Sequence, residues 1–332
     1  MGIRSIFGKG IETHDPITRH DPLPSEIFSF FLKDILTVSN RKKVVKAVIP
    51  AAGFGTRMLP ATKAVPKEML PVAGKPLIQY AVEEAAASGI ETVILVIRNH
   101  KSLIQAHFTR DHELESFLED RELKAAAELV RRLTELVDLQ YVEQERPLGL
   151  AHAIGRARSL VGAEPFVVLL PDVIMLNDEP VTGQLIRAHE QHGGSVVAIR
   201  EVAPRDLERH GIVQVERPTA HRFDRYVCVT GLFEKPSIKN APSRLGVFGR
   251  YLLEPAIWDA IAQTDPDLRG EVQLTDALNL LCREKPLYGL FFDGQHYDAG
   301  DRAGYLWANI ELTLQDLSVQ QPLRGYLARA LS

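Results

Sequence analysis

Short, mostly apolar runs alternate along this chain with longer segments in which apolar residues recur every three or four positions. The first run, Val44-Val45-Lys46-Ala47-Val48-Ile49, is β-branched and closed by Pro50 and Gly53, which predicts a buried strand. Residues 76–87 have helical spacing, with Gly89 as a natural stop. Apolar runs at 92–97, 139–142 and 165–170 predict three more strands, and helical spacing at 102–108, 113–136 and 151–159 falls between them. Alternating strands and helices predict a parallel sheet with helices on both faces and right-handed crossovers.

After Ser195 the pattern changes. Strands are predicted at 196–199, 211–215, 226–233 and 246–251, with few helices between them. Helices return at 256–262 and 273–284, a last strand at 287–292 and a closing helix at 305–317. The expectation is an α/β protein: a mixed, mostly parallel sheet flanked by helices, with a smaller β elaboration. An extension over 1–40 precedes a domain at 41–320, whose halves span about 44–195 and 196–300, and a tail follows at 321–332. The apolar stretch 27–36, with Phe28, Phe30 and Phe31, predicts a helix that docks on the protein or on a neighbouring subunit. A homo-oligomer, dimer or tetramer, is therefore expected.

Composition narrows the function. The formal net charge is -4, whereas a general nucleic-acid binder carries a basic excess, so no nucleic-acid partner is expected. A phosphate ligand would need a local cluster of cations. No apolar run approaches the roughly 18 residues of a membrane span, and no membrane partner is expected. Cys228 and Cys282 lie far apart with neither metal-type spacing nor a disulfide framework, which fits a cytoplasmic protein.

The chemistry begins where the first strand ends, in Ala51-Ala52-Gly53-Phe54-Gly55-Thr56-Arg57. A glycine loop at the carboxyl end of a strand is where open α/β sheets bind ligands. It is not a P-loop, because Met58 and Leu59 stand where Gly and Lys belong. Nor is it a dinucleotide fingerprint: Met58 replaces the third glycine, and the second strand ends in Arg98-Asn99 without the acidic ribose ligand. Arg57 and Lys67 flank a proline-stiffened loop, Met58 to Pro66, that directly follows the glycines. Two cations in that position suit the dense charge of a triphosphate.

Gly53-x-Gly55-Thr56-Arg57 followed by Pro66-Lys67 resembles the signature of the sugar-nucleotide pyrophosphorylases. The stretch from Ala47 to Tyr80 is similar to the bacterial UTP–glucose-1-phosphate uridylyltransferases within that family. Further landmarks follow in order: Gln144 with Gly149-Leu150, Leu170-Pro171-Asp172-Val173, Glu234-Lys235-Pro236, Gly249-Arg250-Tyr251, Gln273 to Ala277, and Asp298-Ala299-Gly300. Together they cover about residues 44–315.

The resemblance implies a Rossmann-like, GT-A-like nucleotidyltransferase fold, with a nucleotide half before Ser195 and a sugar-binding half after it. It implies UTP and glucose 1-phosphate as substrates, with Mg2+ held by Asp172 and Asp298. Arg57 and Lys67 would be the catalytic cations. The base and triphosphate would lie against Ala51, Ala52, Gly53, Gly55 and Thr56, with the Gln144 amide reading the base edge and Gly149 in the same pocket. Glu234 would accept hydrogen bonds from sugar hydroxyls, Lys235 would grip the sugar phosphate, and Gly211 and Gly231 would allow close approach. Two departures stand out: Ala299 replaces the usual cysteine beside the second aspartate, and Ala151 replaces a glycine after Leu150. A thymidylyltransferase, another sugar-1-phosphate nucleotidyltransferase, or a catalytically silent regulatory relative are the alternatives.

Overall fold

Residues 42–98, 103–216 and 225–330 are described by the computed structural model. The 1–40 extension, its apolar stretch at 27–36 and the expected helix start at Ser102 lie outside them. The strands are β1 (Lys46–Pro50), β2 (Pro71–Val72), β3 (Lys75–Pro76), β4 (Thr92–Ile97), β5 (Asp138–Glu143), β6 (Phe166–Leu169) and β7 (Val173–Leu176). They continue with β8 (Ser195–Glu201), β9 (Gly211–Val215), β10 (Tyr226–Glu234), β11 (Leu245–Leu253), β12 (Leu287–Phe291) and β13 (Gln295–Asp298). The helices are α1 (Leu77–Ala87), α2 (Leu103–Phe108), α3 (His112–Asp120), α4 (Lys124–Leu133), α5 (Leu150–Arg156) and α6 (Arg158–Val161). After them come α7 (Val181–His192), α8 (Ile257–Gln263), α9 (Leu274–Glu284), α10 (Arg302–Thr313) and α11 (Gln320–Ala330).

Nine strands form one sheet in the order β5-β4-β1-β6-β11-β8-β12-β10-β9. The first four run parallel, so their carboxyl ends share one edge. β11 lies antiparallel between β6 and β8, and joins the two halves of the chain through one ladder system. β8 and β12 are parallel, and the β12-β10-β9 side is antiparallel.

The side-chain alternation of a strand sorts each apolar run onto two faces. Ala47 and Ile49 of β1 and Val93, Leu95 and Ile97 of β4 enter one core, covered by α1, α2 and α7 through residues such as Ile78, Val82, Ile104 and Leu185. Val48, Ile94 and Val96 enter the other, covered by α5, α8 and α9 through Ile154, Trp258, Leu274 and Leu281. A third cluster (Val72, Leu77, Ile174, Ala299, Ala308, Leu312) seats the β7–β13 ribbon and α10 beside the sheet.

The expected helix at 113–136 is two helices. Glu122 takes a left-handed φ of 59°, and Leu123 N–H closes onto Leu118 O at 2.9 Å, so α3 ends and the chain turns back. The turn is stapled by the buried Glu115 carboxylate, which accepts both prongs of Arg110 at 2.9 Å and has Arg131 of α4 at 3.5 Å. The helix expected at 151–159 likewise divides, at Ala157. α11 occupies most of the expected tail, and α7, β7 and β13 arise where the periodicity predicts nothing. Among the described residues no helix is long and apolar enough to cross a membrane.

Phe166 of β6 and Trp258 of α8 stack with ring centroids 4.7 Å apart and planes 3° off parallel, both buried. Phe166→Ala is expected to cost about 3–5 kcal/mol, seen as a lower urea midpoint at unchanged slope. A loss below about 1 kcal/mol would mean that the rings are not a packed pair.

Candidate active site

β1 delivers the glycine loop to the carboxyl edge of the sheet. Gly55 has φ 61°, and a Cβ there would lie 3.0 Å from Lys67 Cβ and 3.1 Å from Thr62 Cγ2, so the fold itself requires this glycine. Thr62 Oγ1 donates to Gly55 O at 2.8 Å, which folds the 62–67 segment back onto the loop. At Gly53 a Cβ would meet nothing within 4 Å. Its small size leaves space open rather than relieving a clash. Thr56 and Arg57 sit in a short 3-10 turn after Gly55, with Met58 N–H bonded to Gly55 O at 2.9 Å.

β6, parallel to β1, ends beside it and presents Asp172. Lys67 Nζ donates to Asp172 Oδ2 at 2.8 Å. Burial favours the neutral form of each group, but their mutual attraction outweighs it. Lys67 is pushed above the usual lysine range and Asp172 below the usual carboxylate range, with Arg57 adding to the latter. Asp298 arrives from the other direction, at the end of β13. A Cβ at Gly300 would lie 2.9 Å from both Asp172 Oδ2 and Asp298 Oδ1, and 3.6 Å from Arg57 Nη2. The missing side chain of Gly300 thus leaves a gap that both carboxylates and one guanidinium face. Among the described residues, no cluster of three or more His, Cys, Asp or Glu side chains forms a metal site. Two carboxylates facing a gap still fit Mg2+, which is commonly held by one or two carboxylates, with substrate phosphates and water completing its shell.

A cavity of about 280 Å³ gathers Arg57, Asp172, Gly211, Glu234, Lys235 and Asp298. Glu234 accepts from Thr275 Oγ1 at 2.6 Å and forms an ion pair with Lys235 Nζ at 2.9 Å. The Cβ position of Gly211 is 3.5 Å from that Thr275 oxygen and 3.7 Å from Glu234 Oε2, so a side chain there would sit against both. Gly231 is not among the cavity walls. Its empty side faces Gln214 and Asn279, and the adjacent Leu232 reaches the cavity instead. Ala51, Ala52 and Gly53 line a separate cavity of about 270 Å³, with Lys63, Pro66 and Arg98. Arg98 stacks 4.0 Å over the exposed Phe54 ring.

Gln144 and Gly149 belong to neither wall set. The Gln144 amide nitrogen lies 2.7 Å from His152 Nδ1 and 3.3 Å from Gly149 O. Both of its donors serve the protein, so only its carbonyl is left for a ligand. Burial, with Arg156 adding to it, lowers the His152 pKa below the usual histidine range, as befits a structural histidine. Gly149, at φ 100°, would place a Cβ 2.5 Å from Val272 O; the 148–151 segment is pinned to Val272 by two backbone hydrogen bonds. Its glycine is a packing requirement.

Sequence reasoning did not find Arg209, Thr275 and Glu68. Arg209 Nη2 reaches Asp301 Oδ2 at 2.6 Å and Asp298 Oδ2 at 3.8 Å across the cavity. Thr275 lay within a quoted landmark but had no role there. Glu68 is 2% exposed, and its Oε2 is the one buried side-chain oxygen or nitrogen without a partner among the described residues. Its signal was only its place beside Lys67.

Residues 46–315 match the nucleotidyl transferase family. Over 288 residues the chain is 44% identical to UTP–glucose-1-phosphate uridylyltransferase 2 of Staphylococcus saprophyticus, covering 87% of this chain and 98% of that one. It superposes on a UDP-glucose pyrophosphorylase complexed with UDP-glucose at a TM-score of 0.73 and 35% identity, over 82% of this chain and 99% of the other. A UTP-bound UGPase from Acinetobacter baumannii gives 0.78 and 34%, over 86% and 99%.

Burial pushes the Glu68 carboxyl up to about 7, against the pull of Lys67. The native state therefore holds this proton more tightly than the unfolded chain does. The associated stability is full in acid and is lost as pH rises through about 7. Glu68→Gln is expected to stabilise the protein at pH 8 by up to about 3 kcal/mol. The gain should nearly vanish at about pH 4, below the ordinary carboxyl range, as read by thermal melts at the two pH values. An equal gain at both would show that the carboxyl is ionised throughout.

Proposed function

The chain belongs to the nucleotidyl transferase family, and on that premise we propose that it transfers a uridylyl group from UTP to glucose 1-phosphate, giving UDP-glucose and pyrophosphate. The observation that carries this reading is the convergence of Arg57, Asp172, Glu234, Lys235 and Asp298 on one cavity, in a chain whose relatives bear that activity in their names.

An oxygen of the sugar phosphate bonds to the α-phosphorus of UTP, while the bond from that phosphorus to the oxygen leading to the β-phosphate breaks. The electron pair leaves with pyrophosphate. A phosphomonoester with a second pKa of about 6 is already largely dianionic at neutral pH, so no general base is required. What the reaction needs is alignment and cancellation of charge.

Arg57 supplies a fork of donors toward the α-phosphate and the departing pyrophosphate, and Lys67 a second positive charge. The open side of Gly53 admits the nucleotide close to the backbone, and the Gln144 carbonyl suits the imide N–H of uracil. Glu234, set by Thr275, accepts from sugar hydroxyls, and Lys235 binds the sugar phosphate beside Gly211. The nucleotide half (44–195) and the sugar half (196–300) thereby divide the work across one sheet. Asp172 and Asp298 would hold Mg2+, which would supply positive charge to the phosphate oxygens. Two unpaired cysteines fit a reducing cytoplasm. Exposed Leu306, Trp307 and Tyr326 are contacts suited to a homo-oligomer, dimer or tetramer.

Pyrophosphate release measured over a panel of nucleotides and sugar phosphates is expected to be fastest with UTP and glucose 1-phosphate. A methyl group changes binding by only about 1–3 kcal/mol. A preference for dTTP over UTP would therefore make the chain a thymidylyltransferase, and no release from any pair would make it a silent relative. Arg57→Ala is expected to lower turnover by about 10²–10³-fold without moving the melting temperature. Near-normal turnover in that folded variant would remove Arg57 from the chemistry.

A further inference from the structure

Arg250 heads the largest side chains wholly inside the protein, at 1% exposure. A buried ion pair is a weak source of stability, because desolvating the two charges offsets much of their attraction. Its geometry points elsewhere. Nε donates to Glu84 Oε1 and Oε2 at 3.1 and 3.0 Å. Nη2 donates to Glu84 Oε2 at 2.7 Å and to Val173 O at 2.8 Å. Nη1 donates to Leu170 O and Gly249 O, both at 3.1 Å. All five N–H groups of the guanidinium are engaged.

Leu170 and Val173 stand on either side of Pro171-Asp172, so one rigid planar group holds both ends of the turn that carries Asp172. The turn in turn holds its neighbour: Ala299 N–H donates to Asp172 O at 2.8 Å, and Gly300 N–H to Asp298 Oδ1 at 2.8 Å. The anchor is fixed as well. Glu84 of α1 accepts from Thr182 N–H at 3.0 Å and from Thr182 Oγ1 at 2.7 Å, at the start of α7. A connected path therefore runs from two helices through Arg250 to both carboxylates that face the Gly300 gap.

We infer that Arg250 is a positioning residue for the divalent-cation site: it sets the separation of Asp172 from Asp298 without touching cation or substrate. The inference rests on the reading of those two aspartates as the cation's holders. A lysine cannot replace the fork, since its point charge cannot reach Glu84 and three diverging carbonyls at once.

The test uses the full-length protein and Mn2+ as probe, with binding followed by electron paramagnetic resonance in the presence of UDP-glucose. Arg250→Lys is expected to weaken Mn2+ binding by about 10–100-fold, the range seen when partners of metal ligands are lost. The Mg2+ concentration for half-maximal activity should rise in parallel, and turnover at saturating Mg2+ should change far less. Thr182→Val removes a hydrogen bond to Glu84 but none to the turn. It should lower the melting temperature and leave Mn2+ binding intact. A folded Arg250→Lys protein with unchanged Mn2+ binding, or a Thr182→Val protein weakened just as much, overturns the inference while the cation reading stands. Wild-type protein that binds no Mn2+ would sink the cation reading, and this inference with it. If Arg250→Lys does not fold, hydrogen exchange in the wild-type, ligand-free protein decides. The Ala299 amide should exchange only as slowly as the β1 and β6 core amides, and fast exchange there overturns the proposal.

Discussion

Lys67 Nζ and Asp172 Oδ2 meet at 2.8 Å because β1 and β6 are parallel neighbours. Parallel pairing forces both strands to release their following loops at the same edge. The loop after β1 carries the cations and the loop after β6 carries the first carboxylate, so the ladder of backbone hydrogen bonds determines their encounter. β11 extends the constraint. Inserted antiparallel beside β6, it brings Gly249 and Arg250 under the Asp172 turn, and its other neighbour β8 begins the half that supplies Gly211, Glu234 and Thr275.

The site is a region of opposed charge kept in balance before any ligand arrives. Lys67 holds Asp172, Lys235 holds Glu234, and Arg209 lies between Asp298 and Asp301. This local balance reconciles a chain of net charge -4 with a polyphosphate ligand. On the proposed function, phosphate groups would take over the cations and a divalent ion the carboxylates, so that binding would exchange partners rather than expose bare charge in a cavity. The same arrangement explains why sequence inspection finds no nucleophile–base constellation: the attacking group carries its own charge.

Much of this was readable in advance. The apolar runs at 44–49, 92–97 and 165–170 became β1, β4 and β6, because a strand covered on both faces of a parallel sheet must be apolar on both, and the run at 139–142 became β5, a half-buried edge strand. The break at Glu122 was hidden, since its left-handed turn is stabilised by Arg131, which reaches back from α4 to Glu115, and the helical spacing runs on through it. β7 and β13 were hidden because they pair across about 120 residues, a contact that no local pattern encodes. Gly231 and Gly149 were read as making room for ligand, and packing uses that room: Gly231 beside Gln214 and Asn279, Gly149 against the Val272 backbone.

By itself the sequence determined which groups are available: a glycine loop with two cations behind it, two aspartates at strand ends and an adjacent Glu234-Lys235 pair. These are local facts, legible because strand ends and loops announce themselves in hydrophobicity and in glycine and proline. Tertiary structure alone decided that Asp172 and Asp298, 126 positions apart, face one gap at Gly300, and that a wholly buried Arg250 holds the turn beneath them. The physical reason is that separation in space is set by strand order and core packing, whose contacts join residues far apart along the chain.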